Sequence, residues 1–121
     1  MSTVLVVDGA NVVGARPDGW WKDRAGAARR LHEQLLDADL ADDEIVLVLE
    51  GGAKAGVPAG ASSGLRVVHA PRDGDSAIVA EARRAHERGH RVRVATADRA
   101  LGANLAPYAT TVSPTWLLEQ L

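Results

Sequence analysis

The chain has 121 residues, 46% of them hydrophobic and 25% charged, which fits a single globular domain over 1–121 that buries about two-thirds of its unfolded surface. Its formal net charge of −2 argues against a generic nucleic-acid coat protein, and the absence of cysteine excludes disulfides, thiolate zinc sites and cysteine nucleophiles. Aromatic residues make up only 3% and there is no Phe, so the core has to be built from Val, Leu, Ile and Ala.

In chain order, TVLVVD (3–8) reads as a first strand ending in Asp8, with Gly9 and Asn11 behind it and no helix expected at once. No basic segment precedes this apolar run and no stretch approaches the roughly 18 apolar residues of a membrane span. It therefore reads as a strand and not a signal peptide, and a cytoplasmic location without membrane contact is expected by default. Residues 22–40 form a helical pattern with Ala28, Leu31 and Leu35 on one face. EIVLVLE (44–50) is the second strand; like the first it is a continuous apolar run, the mark of a strand covered on both faces of a parallel sheet. GGAKAGVPAGASSG (51–64) reads as a mobile loop.

LRVVHA (65–70) is the third strand, with His69 a plain strand-end residue, and PRDGDS leads into a helix over 75–88 that carries Ile78, Ala82 and Ala85 on one face. Gly89 is a natural residue to follow that helix. HRVRVAT (90–96) and TTVS (110–113) are the fourth and fifth strands, and SPTWLLEQL opens a last helix with Ser113 as cap and Pro114 in its first turn. Alternating strands and helices give an α/β domain of three layers around a mainly parallel, five-stranded sheet with its first strand central.

In such a sheet, ligands bind beyond the carboxyl ends of the strands. Asp8 closes strand one, Glu50 closes strand two, Asp73 and Asp75 follow strand three, and Asp98 follows strand four. Each of these acids has an ordinary structural use. Asp75 and Asp98 suit helix starts, Asp73 suits a turn before Gly74, and Glu50 suits a strand end. Asp8 is the hardest to assign to such a use. Their convergence on one edge is costly, because two unit charges ~4 Å apart repel by about 4 kcal/mol at an effective dielectric of 20. A hard divalent cation, Mg²⁺ or Mn²⁺, bound among them relieves that repulsion through oxygen ligands.

At these residues the chain resembles the NYN domain family of PIN-like nucleases, nearest its YacP-type bacterial branch. The likeness rests on VVDGANVVG, VLVLEGG, GDSAIVAEA and VRVATADRAL, and the spacing and the closing TTVSPTWLLEQL extend it over nearly the whole chain. It implies a PIN-like α/β fold and a Mg²⁺- or Mn²⁺-dependent ribonuclease, with internal cleavage expected over end trimming. By the same resemblance Asp8, Asp75 and Asp98 are the central metal-binding carboxylates, assisted by Asn11 and Glu50. Glu50 stands where these domains often carry Asp, and Ala97 where Ser or Thr often precedes the last Asp.

With RNA as the partner, Arg16, Arg24, Arg72 and Arg99 are the candidate phosphate contacts. Trp20 and Trp21 either stack an unpaired base or pack within the fold. Two other readings keep the same acidic pocket: a weakly cleaving RNA-binding or regulatory module that needs a partner chain, and a metal-dependent phosphatase or nucleotide hydrolase; a homodimer is compatible with any of them. Competing motifs fail on inspection. GARPDG (14–19) has the glycine spacing of a phosphate-binding loop, but Trp20 and Trp21 stand where Lys and Ser or Thr are required. His86 and His90 are read as cations closing a helix, not as metal ligands.

Overall fold

The structure, a computed structural model, describes residues 2–121. Six strands form one sheet in the order β3–β4–β2–β1–β5–β6. These are β1 (Thr3–Asp8), β2 (Glu44–Leu49), β3 (Gly60–Ser62), β4 (Leu65–His69), β5 (Arg91–Ala95) and β6 (Thr110–Val112). All neighbours run parallel except the pair β3 and β4. The helices are α1 (Gly9–Gly14), α2 (Arg24–Asp37), α3 (Gly74–Glu87), α4 (Arg99–Leu105) and α5 (Pro114–Glu119).

Side chains alternate across β1 and β2, and that alternation divides the core in two. Leu5, Val7, Ile45, Leu47 and Leu49 face Val12 of α1, Ala28, Leu31 and Leu35 of α2 and Leu117 of α5. Val4, Val6, Val46 and Val48 face Ile78, Ala82 and Ala85 of α3 and Leu101 and Leu105 of α4. The sheet is the middle of three layers, and β1, bonded to β2 and β5, lies at its centre. The apolar faces expected for the second and third helices are therefore buried, on opposite sides of the sheet.

Three local features differ from the sequence reading. A helix does begin at once after Asp8, because the Asp8 carboxylate caps it and Val12 is fully buried beneath it. Its start packs so tightly that a Cβ on Gly9 would meet the Val48 carbonyl oxygen at 2.6 Å, which leaves glycine as the residue that fits. The Gly- and Ala-rich segment is not a featureless loop. It forms a 3₁₀ turn at Gly51–Gly56, buries Val57, and then adds β3 to the sheet edge. Ser63 and Gly64 both take positive φ in the two-residue connection to β4, as a tight hairpin turn requires. The five-stranded sheet thus gains a sixth strand, which carries no apolar signal because all three of its residues are exposed.

A candidate acidic site at the carboxyl edge of the sheet

Asp8 is buried where β1 meets α1, with 4% of its surface exposed. Its Oδ1 accepts the Asn11 N–H at 3.3 Å and its Oδ2 accepts the Thr96 hydroxyl at 2.8 Å. Thr96, also buried, accepts the Asp98 N–H on the same hydroxyl oxygen at 3.2 Å. The Asn11 side chain accepts the Ala97 N–H at 3.0 Å. Asn11 and Thr96 thereby tie the β1–α1 turn to the β5–α4 turn. Thr96 is the residue that motif reading missed; the available signal was a hydroxyl at a strand end two residues before an aspartate.

The remaining acids stand at helix starts. Asp98 caps α4 through the Leu101 N–H at 3.0 Å. Asp73, expected in a turn, caps α3 through the Ser76 N–H at 2.8 Å, and Asp75 lies in the first turn of that helix. Glu50 reaches across to accept the Gly74 N–H at 2.9 Å. A Cβ on Gly74 would come within 3.2 Å of Glu50 Oε1, so glycine keeps that approach open.

These carboxylates feel one another. Burial pushes the Asp8 carboxyl above its ordinary pKa, its bonds from Thr96 and Asn11 oppose this, and the charges of Asp75 and Glu50 add to the rise. Asp75 is also pushed up, by desolvation first and then by Asp98, Asp73 and Glu50. Among the described residues none of these acids forms an ion pair. Nor do three of them make a ready metal-holding group. Asp8, Glu50 and Asp98 are each turned toward a local donor, so the acids share an edge without forming a closed ligand shell.

Beside the acids lies a cleft of about 390 Å³, whose lining includes Gly9, Trp20, Arg24, Glu50 and Arg72. Arg24 and Arg72 are thus brought to the site, whereas Arg16, after α1, and Arg99, in the first turn of α4, lie outside the cleft. None of the four takes part in an ion pair among the described residues, unlike Arg30, Arg66, Arg83, Arg84 and Arg93. Trp20 is half-buried against the cleft, while Trp21 is 57% exposed and meets Trp20 edge-on with ring centroids 6.0 Å apart. Two histidines serve the fold. His69 shares a 2.7 Å hydrogen bond with the Val57 carbonyl and is more than a plain strand-end residue, and the His86 ring packs against Tyr108.

A mainly parallel sheet with helices on both faces, and acids gathered at its carboxyl edge, makes this a three-layer α/β domain whose architecture matches a PIN-like fold. Among solved structures the chain is similar to Rae1 (YacP) from Bacillus subtilis, determined as a tryptophan-to-leucine mutant, with a TM-score of 0.77 at 19% identity over 98% of this chain and 74% of that one. At that identity the likeness is one of fold. No family model matches the chain, and no curated protein matches it. Among the described residues no helix is long and apolar enough to cross a membrane.

Proposed function

We propose that the chain is a ribonuclease that hydrolyses phosphodiester bonds in RNA with Mg²⁺ or Mn²⁺, in the cytoplasm. The observation that carries this reading is Asp8, a buried carboxylate that has no cation partner among the described residues and stands among other acids. An all-oxygen, acidic donor set fits a hard divalent ion better than a soft one. Asp8, Asp75 and Asp98 would hold it, with Glu50 beside them at the border of the cleft. Bound there, such an ion supplies a water of lowered pKa and offsets charge on the phosphate.

The protein's own residues do the rest. Thr96 links the Asp8 carboxylate to the Asp98 backbone, so the two strand ends hold their spacing. The Asn11 carbonyl oxygen is occupied by the Ala97 N–H, which leaves its amide NH₂ to donate to a phosphate oxygen or a water. Arg24 and Arg72 hold the substrate backbone from the cleft side, and Arg16 and Arg99 from the other turns. The test is cleavage of single-stranded RNA by the purified chain with Mn²⁺ and with a chelator. Wild type cleaves only with the ion, and Asp98→Asn loses about a hundredfold or more in rate. Equal rates for the two proteins would place the activity elsewhere.

A second reading, a binding module with little cleavage, is favoured by the lack of a ready metal-holding group among the described residues. It predicts that the chain binds RNA but that Mn²⁺ adds no cleavage.

A further inference from the structure

The cleft has features that an ion site does not need. Its lining combines Gly9, Ala10, Val13 and Ala53, small or aliphatic residues, with the half-buried Trp20 indole. That indole is held in place: Trp21 meets it edge-on and the Arg24 guanidinium carbon lies 5.5 Å from its ring centroid. Arg24 and Arg72, neither in an ion pair among the described residues, bring positive charge to the rim. Glu50 also lines it; its Oε2 accepts the Gly74 N–H, which leaves Oε1 and the second lone pair of Oε2 to accept two further bonds side by side. A cleft of about 390 Å³ with an aromatic wall, a fixed acceptor and two cations suits a planar, donor-bearing base attached to a phosphate.

We propose that this cleft is a subsite for an unpaired guanine of the RNA strand, stacked on Trp20, read by Glu50 and held through its phosphate by Arg24 and Arg72. The choice of base follows from donor geometry. A carboxylate only accepts hydrogen bonds, and guanine alone presents two adjacent donors, N1–H and the exocyclic NH₂, on its pairing edge. Adenine and cytosine each set one amino donor beside a ring-nitrogen acceptor. Uracil flanks its single N3–H with two carbonyl oxygens, which would oppose the carboxylate. Stacking on the indole adds affinity for any base, whereas Glu50 supplies the discrimination. The identity of the polymer rests on the ribonuclease reading above; the base preference rests on the cleft.

The test separates the two, because it needs neither metal nor cleavage. The full chain is titrated with 5′-GMP, 5′-UMP and inorganic phosphate in a chelator, following tryptophan fluorescence. GMP is expected to quench the emission and to bind at least tenfold more tightly than UMP. Trp20→Leu should lose the quenching and at least tenfold in GMP affinity. Glu50→Gln keeps an acceptor for Gly74 and should bring GMP down to the level of UMP, while Arg24→Ala weakens both nucleotides alike. Equal binding of GMP and UMP to wild type, GMP binding by Trp20→Leu as tight as wild type, or inorganic phosphate competing as well as GMP would each overturn the proposal. GMP binding without Mn²⁺-dependent RNA cleavage would remove the enzyme reading and leave the subsite; cleavage without GMP binding would do the reverse.

Discussion

Asp8 and Glu81 are both buried acids, 4% and 7% exposed, yet the protein treats them differently. Glu81, on α3, accepts from Arg66 at 2.7 Å and from Arg84 at 3.2 Å, and Arg66 also reaches Glu44 at 3.5 Å. Asp8 receives a threonine hydroxyl and a backbone N–H, and the charged groups that act on it are other acids. A buried charge left without a counter-charge is expensive, and Glu81 shows that this fold supplies one where the role is structural. Asp8 is therefore the place where the proposed ion would supply the positive charge.

The largest predicted effect lies on the structural side. Arg66→Ala leaves Glu81 with Arg84 alone and should cost about 2 to 3 kcal/mol of stability, since two charge-assisted bonds to a buried carboxylate are lost. Chemical denaturation of the two proteins measures it, and a cost near zero would erase the contrast with Asp8. Thr96→Val comes next. It removes the donor to Asp8 and the acceptor for the Asp98 N–H, and about 2 kcal/mol should be lost, since buried groups are left unsatisfied. Its mutant should also bind Mn²⁺ less tightly if Thr96 sets the spacing of the two acids. By contrast, Asp8→Asn should change stability by less than about 1 kcal/mol, because amide and carboxylate have similar shape while the charge removed is one that burial disfavours.

The smallest effect is a dependence on pH. Asp8 has a folded pKa above its ordinary value, so the folded state holds that proton more tightly than the unfolded chain. The strain of its charge is fully present above the folded pKa and disappears as pH falls toward about 4, the ordinary carboxylate range. Any stability advantage of metal-free Asp8→Asn over wild type should therefore shrink between neutral and mildly acidic pH. Melting curves of both proteins at several pH values decide this. An advantage that grew on acidification would mean that Asp8 is lowered, not raised.

How much was legible in the sequence follows the same division. The continuous runs VLVV and IVLVL are legible because both faces of β1 and β2 are buried, and Ser113 with Pro114 signalled the start of α5 correctly. The gathering of the acids at one edge was legible from their places after those runs. Helix α1 was not, since GANVVG combines two glycines and two β-branched valines, all weak helix formers. It exists because Asp8 caps it and Val12 is packed beneath it, which is tertiary information. Strand β3 was hidden for a related reason: its residues pair through the backbone alone and bury nothing. Which arginines are paired and which are free is also a fact of three dimensions, because Arg66 finds its partner on α3, 15 residues away, and Arg93 finds Asp42, 51 residues away.

The central claim, that the unpaired acids at the carboxyl edge hold a divalent ion, is tested most directly by titrating Mn²⁺ into wild type and Asp8→Asn and following the melting temperature. An ion bound only by the folded state stabilises it by about 2.7 kcal/mol at a hundredfold excess over its Kd. Wild type should gain stability on that scale, and Asp8→Asn should gain almost none. Equal gains in the two proteins, or no gain in wild type, would contradict the account.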